Sequence, residues 1–516
     1  MTIKTFVTGR ALTALLLPLL GACGAAAAPA APAPATAAGA LVEAAAATIT
    51  AADIGRIVGA LAHDSTRGRD TPSPELERAA EWIAARFQGM GLQPAGEGGT
   101  FIHRWDYEVH SLAREGTHVR VVGAPYSPRY ERDFFVITGG QPATEAGAFY
   151  AGRAGETGQL PPAARGRILL FDVPGPELGP EWQQGVVAAV QTAVFGGAAG
   201  LIVILDPEFP GAMIEQLAEA TVNQQAPVPV VGVTDEAGRQ LVAAAGHDLA
   251  ALRAAGAPAD LGATVRIAAS RTQTRHTPPN VIAMLPGSDP ALRQTYVVVT
   301  AHFDHVGVGT PDEAGDSIFN GADDNASGTA AVLEMAEAFA SLFEAPARSV
   351  VFLLVSGEEK GLLGAQAWVE NPTVDIEDVV ANINLDMVGR NAPDTVIGIG
   401  QEYSTLEGVV QRITASHPDL KLNVVLDRKP EEMFFFRSDQ LPFIKKGIPA
   451  VFFTTDVHED YHKPSDEASR IDTDKNARVA RLGFYLAHAI ASDPVAPEWT
   501  PEGWRRVEEI LRQSPF

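Results

Sequence analysis

Ala301-His302-Phe303-Asp304-His305 and, sixteen positions on, Gly321-Ala322-Asp323-Asp324-Asn325-Ala326-Ser327-Gly328 decide how this chain is read. The run before them, Tyr296-Val297-Val298-Val299-Thr300-Ala301, is short and β-branched, which predicts a buried strand with His302 at its carboxyl end. In extended chain, positions i and i+2 face the same way, so Asp304 can hydrogen-bond the His302 imidazole and fix its tautomer. The Asp-Asp-Asn triplet then precedes a helical pattern from Ser327 to Leu342. Carboxylates and imidazole gathered there suit a metal-binding crevice beyond the carboxyl ends of strands in an α/β sheet. An exposed strand end followed by an acidic helix cap is the plainer alternative.

The rest of the chain repeats the pattern. Val350 to Val355 predicts a strand that runs into Ser356-Gly357-Glu358-Glu359, and Val379 to Asp386 predicts one that ends Asn384-Leu385-Asp386-Met387. Ile448 to Thr454 predicts a late strand, followed by Tyr461-His462-Lys463-Pro464-Ser465-Asp466. Helical spacing at Gly364 to Val369 and at Asn476 to Ile490 alternates with these strands. The expected architecture is α/β, a mostly parallel mixed sheet flanked by helices. His302, Asp324, Glu358, Glu359, Asp386 and His462 would then share one sheet edge. So many buried carboxylates repel and desolvate one another unless cations compensate, and metal ions supply that charge.

Taken in order, AHFDH, GADDNASG, SGEEKGLLG, NLDM and YHKPSD resemble the co-catalytic zinc aminopeptidases, the family that includes bacterial leucyl aminopeptidases and glutamate carboxypeptidase II. The resemblance covers about residues 278 to 490, with Ile54 to Tyr107 as its N-terminal part. It implies the zinc exopeptidase fold and two zinc ions. His302 and Asp386 would hold one ion, Glu359 and His462 the other, and Asp324 would bridge them. It further implies Glu358 as general base, Asp304 as the residue orienting His302, and a cis peptide after Asp324. Peptides are the implied substrates. N-terminal trimming is favoured by the acids near the motifs, Glu431, Glu432, Asp456, Glu459 and Asp460, opposed mainly by Arg390 and Arg437. The alternatives are a carboxypeptidase of the glutamate carboxypeptidase type, a one-zinc glutaminyl cyclase, and a binding or receptor relative without activity. Some relatives place a tyrosine three residues before the Ser438-Asp439 pair to stabilise an oxyanion. Phe435 stands there and cannot donate, which leaves Arg437 or Tyr461. His305, His458 and Asp323 sit beside the motifs without an assigned role.

Upstream, residues 1–23 read as a lipoprotein-type signal. Lys4 and Arg10 precede the apolar run Ala11 to Leu20, and Leu20-Gly21-Ala22-Cys23 resembles the box whose cysteine is acylated. An extracytoplasmic protein, lipid-anchored through Cys23 and facing the periplasm, or else secreted, is expected. Cleavage before Cys23 would leave 494 residues (516 − 22) and move the formal charge from −24 to −26. Cys23 is the single cysteine, so an internal disulfide and a thiolate zinc site are excluded and any metal must be held by His, Asp and Glu. The acidity argues against nucleic acid as a partner.

Residues 24–50, Ala/Pro-rich, read as a linker. Residues 51–124 read as the N-terminal part of the peptidase domain, with a helix from Ser73-Pro74-Glu75 to about Gln88. Residues 125–275 resemble a protease-associated domain, 276–495 form the catalytic domain, and 496–516 a C-terminal tail. Within the insert, the loop Gly196 to Gly200 follows a helix and precedes a strand, the wrong order for a dinucleotide fingerprint.

Overall fold

A computed structural model describes residues 37–138, 143–156, 160–175, 180–210, 214, 217, 228–429 and 432–513. The expected signal segment and Cys23 lie outside the described residues. The larger sheet is α/β and mixed, as the alternation of apolar runs predicts, and it has nine strands among the described residues. Its centre is four parallel strands in the order Ser349–Val355, Tyr296–His302, Val379–Leu385 and Ala450–Thr454. Antiparallel strands flank them, Pro279–Leu285 on one side and Thr395–Ile399 on the other.

Both faces of this sheet are covered, which is why its strands read as unbroken apolar runs. Successive side chains alternate between two cores. Val297, Val299 and Ala301 join a cluster with the helices Pro74–Gly89, Gly328–Ala340 and Thr473–Ser492. Val298 faces the opposite way, towards Trp368 and Phe443. Ser73 caps its helix as the sequence predicts, its hydroxyl accepting from Leu76 N at 3.0 Å.

Three boundaries need correction. The reading of 24–50 as a linker fails at its second half, because Ala37–Ala46 is a helix whose Ala45 and Ala46 are buried in the main core. Tyr485 Oη donates to Glu43 Oε2 at 2.6 Å and fixes that helix to the body. The segment 496–516 is not a loose tail either. Pro501–Gln513 is a helix whose Val507 is fully buried beside Phe434, Phe435 and Phe436. The insert, finally, starts earlier than 125. The strand His118–Val121 pairs with Ala259–Ala268 in a second sheet of seven strands among the described residues. An antiparallel ribbon, Tyr107–Leu112 with Arg271–His276, leads out to it and back. The glycine loop is a turn between the helix Pro180–Phe195 and the strand Gly200–Ile204.

Candidate metal centre

The parallel strands deliver their carboxyl ends to one edge, where the six residues singled out above meet. His302 ends its strand fully buried, and its Nδ1 lies 3.2 Å from the backbone oxygen of Asp304. The Asp304 carboxylate is farther, at 3.6 Å, so the main-chain carbonyl shares the orienting role assigned above to the side chain. That carboxylate also accepts from Thr71 Oγ1 at 3.0 Å and from Glu358 N at 3.3 Å, tying two loops together. Nε2 of His302 is left facing the centre.

Asp324 enters from the turn Ala322–Ser327, and its peptide to Asn325 is cis. The amides of Asp323 and Asp324 donate to the Asp466 carboxylate at 3.0 and 3.2 Å. The Asn325 side chain reaches the neighbouring strand end, donating to Leu385 O at 3.0 Å and accepting from Met387 N at 3.2 Å. Beneath this turn Arg69, fully buried, donates to the carbonyls of Leu61, Phe303, Asn320 and Gly321. Glu358 and Glu359 follow Gly357, whose φ is +76° and where a Cβ would lie 2.8 Å from the Trp105 ring. That position needs glycine on both counts.

The two oxygens of Asp324 serve different neighbours. Oδ1 is 3.3 Å from His302 Nε2, which is also 3.3 Å from Asp386 Oδ1 and 4.0 Å from Glu358 Oε2. Oδ2 is 3.1 Å from His462 Nε2, which is 3.1 Å from Glu359 Oε2. One residue that the sequence reading left without a role belongs here. His305 Nδ1 lies 2.7 Å from Glu359 Oε1 and 3.8 Å from Asp324 Oδ2, placing it in the second group. Its signal was the repeated imidazole of His302-Phe303-Asp304-His305. His458 falls outside both groups. Its Nε2 is 3.2 Å from Asp323 Oδ2, while Asp323 Oδ1 accepts from Gly389 N at 2.7 Å.

The donor set fits divalent cations. His302 Nε2, His462 Nε2 and Asp386 Oδ1 are buried atoms without a hydrogen-bond partner, each belonging to one of the two groups. Buried polar atoms seldom stay unpaired. The charges are out of balance in the same sense. Burial drives the Glu358 carboxyl well above its ordinary pKa. Burial opposes charge on His462, yet Asp324 and Glu359 outweigh it and lift the imidazole to about 10. The carboxylates thus demand positive charge and, with no other source, draw it from the imidazoles.

The surroundings match the sequence reading less well. Phe435 is buried against Tyr403 in an apolar cluster. Tyr461 stacks on His462 with ring centres 3.9 Å apart, and Arg437 Nη2 donates to its hydroxyl at 3.4 Å. Of the acids expected to gather an ammonium, Asp460 is paired with Arg390 at 2.7 Å, and Lys429 lies 3.0 Å from Asp456 and 3.3 Å from Glu432. Glu459 is exposed, and Glu431 lies outside the described residues. These acids therefore add little uncompensated negative field at the centre.

Residues 280–487 match the model of peptidase family M28, a span that contains every residue of both groups. In this span the chain is similar to peptidase family M28. A probable leucine aminopeptidase of Arthroderma benhamiae is 28% identical over 221 residues, 41% of this chain and 58% of that protein. A probable zinc metalloprotease of Pyrenophora teres f. teres is 40% identical over 111 residues, 22% of this chain and 23% of that protein. The chain thus spans under two thirds of the length of these curated relatives. Among solved structures, an aminopeptidase from Aneurinibacillus sp. strain AM-1 superposes with a TM-score of 0.55 at 20% identity, covering 89% of this chain and 97% of that one. At that identity the likeness shows the fold alone, and this chain shares it.

Proposed function

We propose that this protein is a zinc-dependent aminopeptidase that removes amino-terminal residues from peptides. The observation that carries the reading is the division of Asp324, with Oδ1 towards His302 and Asp386 and Oδ2 towards His462 and Glu359. His302, Asp386 and Asp324 would hold one zinc ion, and His462, Glu359 and Asp324 a second. His305 stands ready to hold Glu359 in place. The ions, when bound, would supply the positive charge the carboxylates lack and polarise the scissile carbonyl.

The chain's own groups do the rest. Glu358 is the general base. Burial favours its protonated form, so once it has taken a proton it holds it and can pass it to the departing amine. Asp304 fixes Glu358 through its backbone amide as well as His302 through its ring. Tyr461, stacked on His462, and Arg437, which donates to the Tyr461 hydroxyl, are assigned the oxyanion. Tyr461 has the stronger claim, since its ring is packed on His462. A free amino terminus would be received by the carboxylates of the centre itself.

A carboxypeptidase is the second reading, favoured by Arg437, an exposed guanidinium with the bidentate geometry that suits a terminal carboxylate. One experiment separates the two. With zinc-loaded protein, acetylating the amino terminus of a cleaved leucyl peptide should abolish hydrolysis. Loss of the C-terminal residue from the acetylated peptide would make this a carboxypeptidase instead. We further read the inserted sheet as a protease-associated domain, and Cys23 as a lipid anchor on the periplasmic side of a membrane. Both rest on the order of motifs in the sequence, and labelling with a palmitate analogue in cells, lost in Cys23→Ala, tests the anchor.

A further inference from the structure

Beside Glu358 and Glu359 opens a cleft of about 430 Å³ between the helices Leu363–Glu370 and Gln440–Lys445. Its walls include Leu362, Val369, Phe436 and Leu441, and its charged rim carries Arg437, Lys445 and Lys446. Three cations on one cleft are unexpected in a chain of net charge −24. Elsewhere around the centre the cations are spoken for, Arg390 by Asp460 and Lys429 by Asp456. Among the described residues these three pair with no carboxylate. Arg437 lies over the Phe434 ring at 4.9 Å and touches Tyr461, and both lysines are exposed. Glu370, the acid on the far wall, accepts from Gln366 at 2.9 Å.

We propose that this cleft receives the residue that departs from the scissile bond, and that Arg437, Lys445 and Lys446 recognise a carboxylate on it. The inference rests on the aminopeptidase reading, because the direction comes from Glu358. The departing amine must lie against the group that protonates it, and the cleft begins at that group. The carboxyl carbon of a departing C-terminal residue is only two bonds from that amine, about 2.5 Å, so its carboxylate lies at the mouth of the cleft. Apolar walls lower the local dielectric and strengthen each charge contact. The carboxylate can be the C-terminus of a dipeptide or an acidic side chain in a longer one, and the chemistry recognised is the same.

The test compares leucylalanine, leucylalanine amide and leucylglutamate amide, with leucine p-nitroanilide as a substrate that has no carboxylate. Wild-type protein should cleave leucylalanine with kcat/KM about three- to tenfold above its amide, mainly through KM, as expected for exposed charge contacts. The advantage should shrink in 1 M NaCl. In Lys445→Gln/Lys446→Gln the ratio should fall towards one. If leucylglutamate amide shares the advantage, side chains are recognised too; if it does not, only C-termini are. Equal rates for leucylalanine and its amide in wild type, or an unchanged ratio in the double variant, would overturn the proposal. Should no leucyl substrate be cleaved, the function reading fails. Calorimetry on Glu358→Gln then still decides the cleft, which must bind leucylalanine more tightly than its amide.

Discussion

Ser438 Oγ donates a 2.7 Å hydrogen bond to Oδ2 of Asp386, so that Oδ1 of the same carboxylate is turned to His302. The serine is itself held by Asn384 Nδ2 at 2.8 Å. Partners of this kind, one bond away from a ligand, set its orientation and basicity. Ser438→Ala should weaken metal binding by about 10- to 100-fold, measured by competition with a chelating dye. The metal-free protein should show a much smaller change in melting temperature. Wild-type affinity in the variant would mean that Ser438 only fills space.

Asp324 serves both groups, so its loss cannot be confined to one. Asp324→Ala should lower the affinity of both ions, and elemental analysis after dialysis should find less than one per chain. Recovery of a single tightly held ion would show that Asp324 is not shared.

Glu358→Gln keeps the size of the side chain and removes its ability to take a proton. Metal content should stay at the wild-type level while kcat falls by about 10²–10⁴-fold. Turnover near wild type would remove Glu358 from the role of base.

Glu334 gives a prediction about stability. Its residue is 1% exposed; burial, with Asp53 and Glu337 nearby, raises its carboxyl from 4.5 to about 7. The folded state therefore holds a proton that the unfolded chain releases at lower pH. Stability should fall as pH rises from about 4.5 to 7 and level off above that, by something on the order of 3 kcal/mol. Glu334→Gln, which can still accept from Thr50 N, should flatten this part of the profile and be the more stable protein at pH 8. Parallel profiles in chemical denaturation would show that Glu334 is not the group responsible.

The centre was legible in the sequence because its ligands stand where buried apolar runs stop. Val355 before Ser356-Gly357-Glu358-Glu359 ends a strand in both readings, and the strand predicted to Asp386 stops one residue earlier, at Leu385. Terminal boundaries were harder. Ala37–Ala46 has the composition of a tether, yet alanine is also the best helix former, and burial against Tyr485 decides between them. Val507, Ile510 and Leu511 in Pro501–Gln513 do follow helical spacing, a signal that was there to be used. The Asp323–His458 pair depends on how loops from distant parts of the chain fold over one another, and local periodicity carries no trace of that.

Arg69 has a consequence for how this protein can be cut. It grips the carbonyls of Phe303, Asn320 and Gly321 from a position 252 residues before the last of them. Thr71 beside it reaches Asp304. A fragment trimmed to 280–487 would keep every proposed ligand and lose the clasp that holds their loops. The smallest working piece is therefore discontinuous: it begins before Arg69, passes out through the inserted sheet, and returns. During synthesis the centre can close only after the whole insert has emerged, which makes its assembly a late and long-range event.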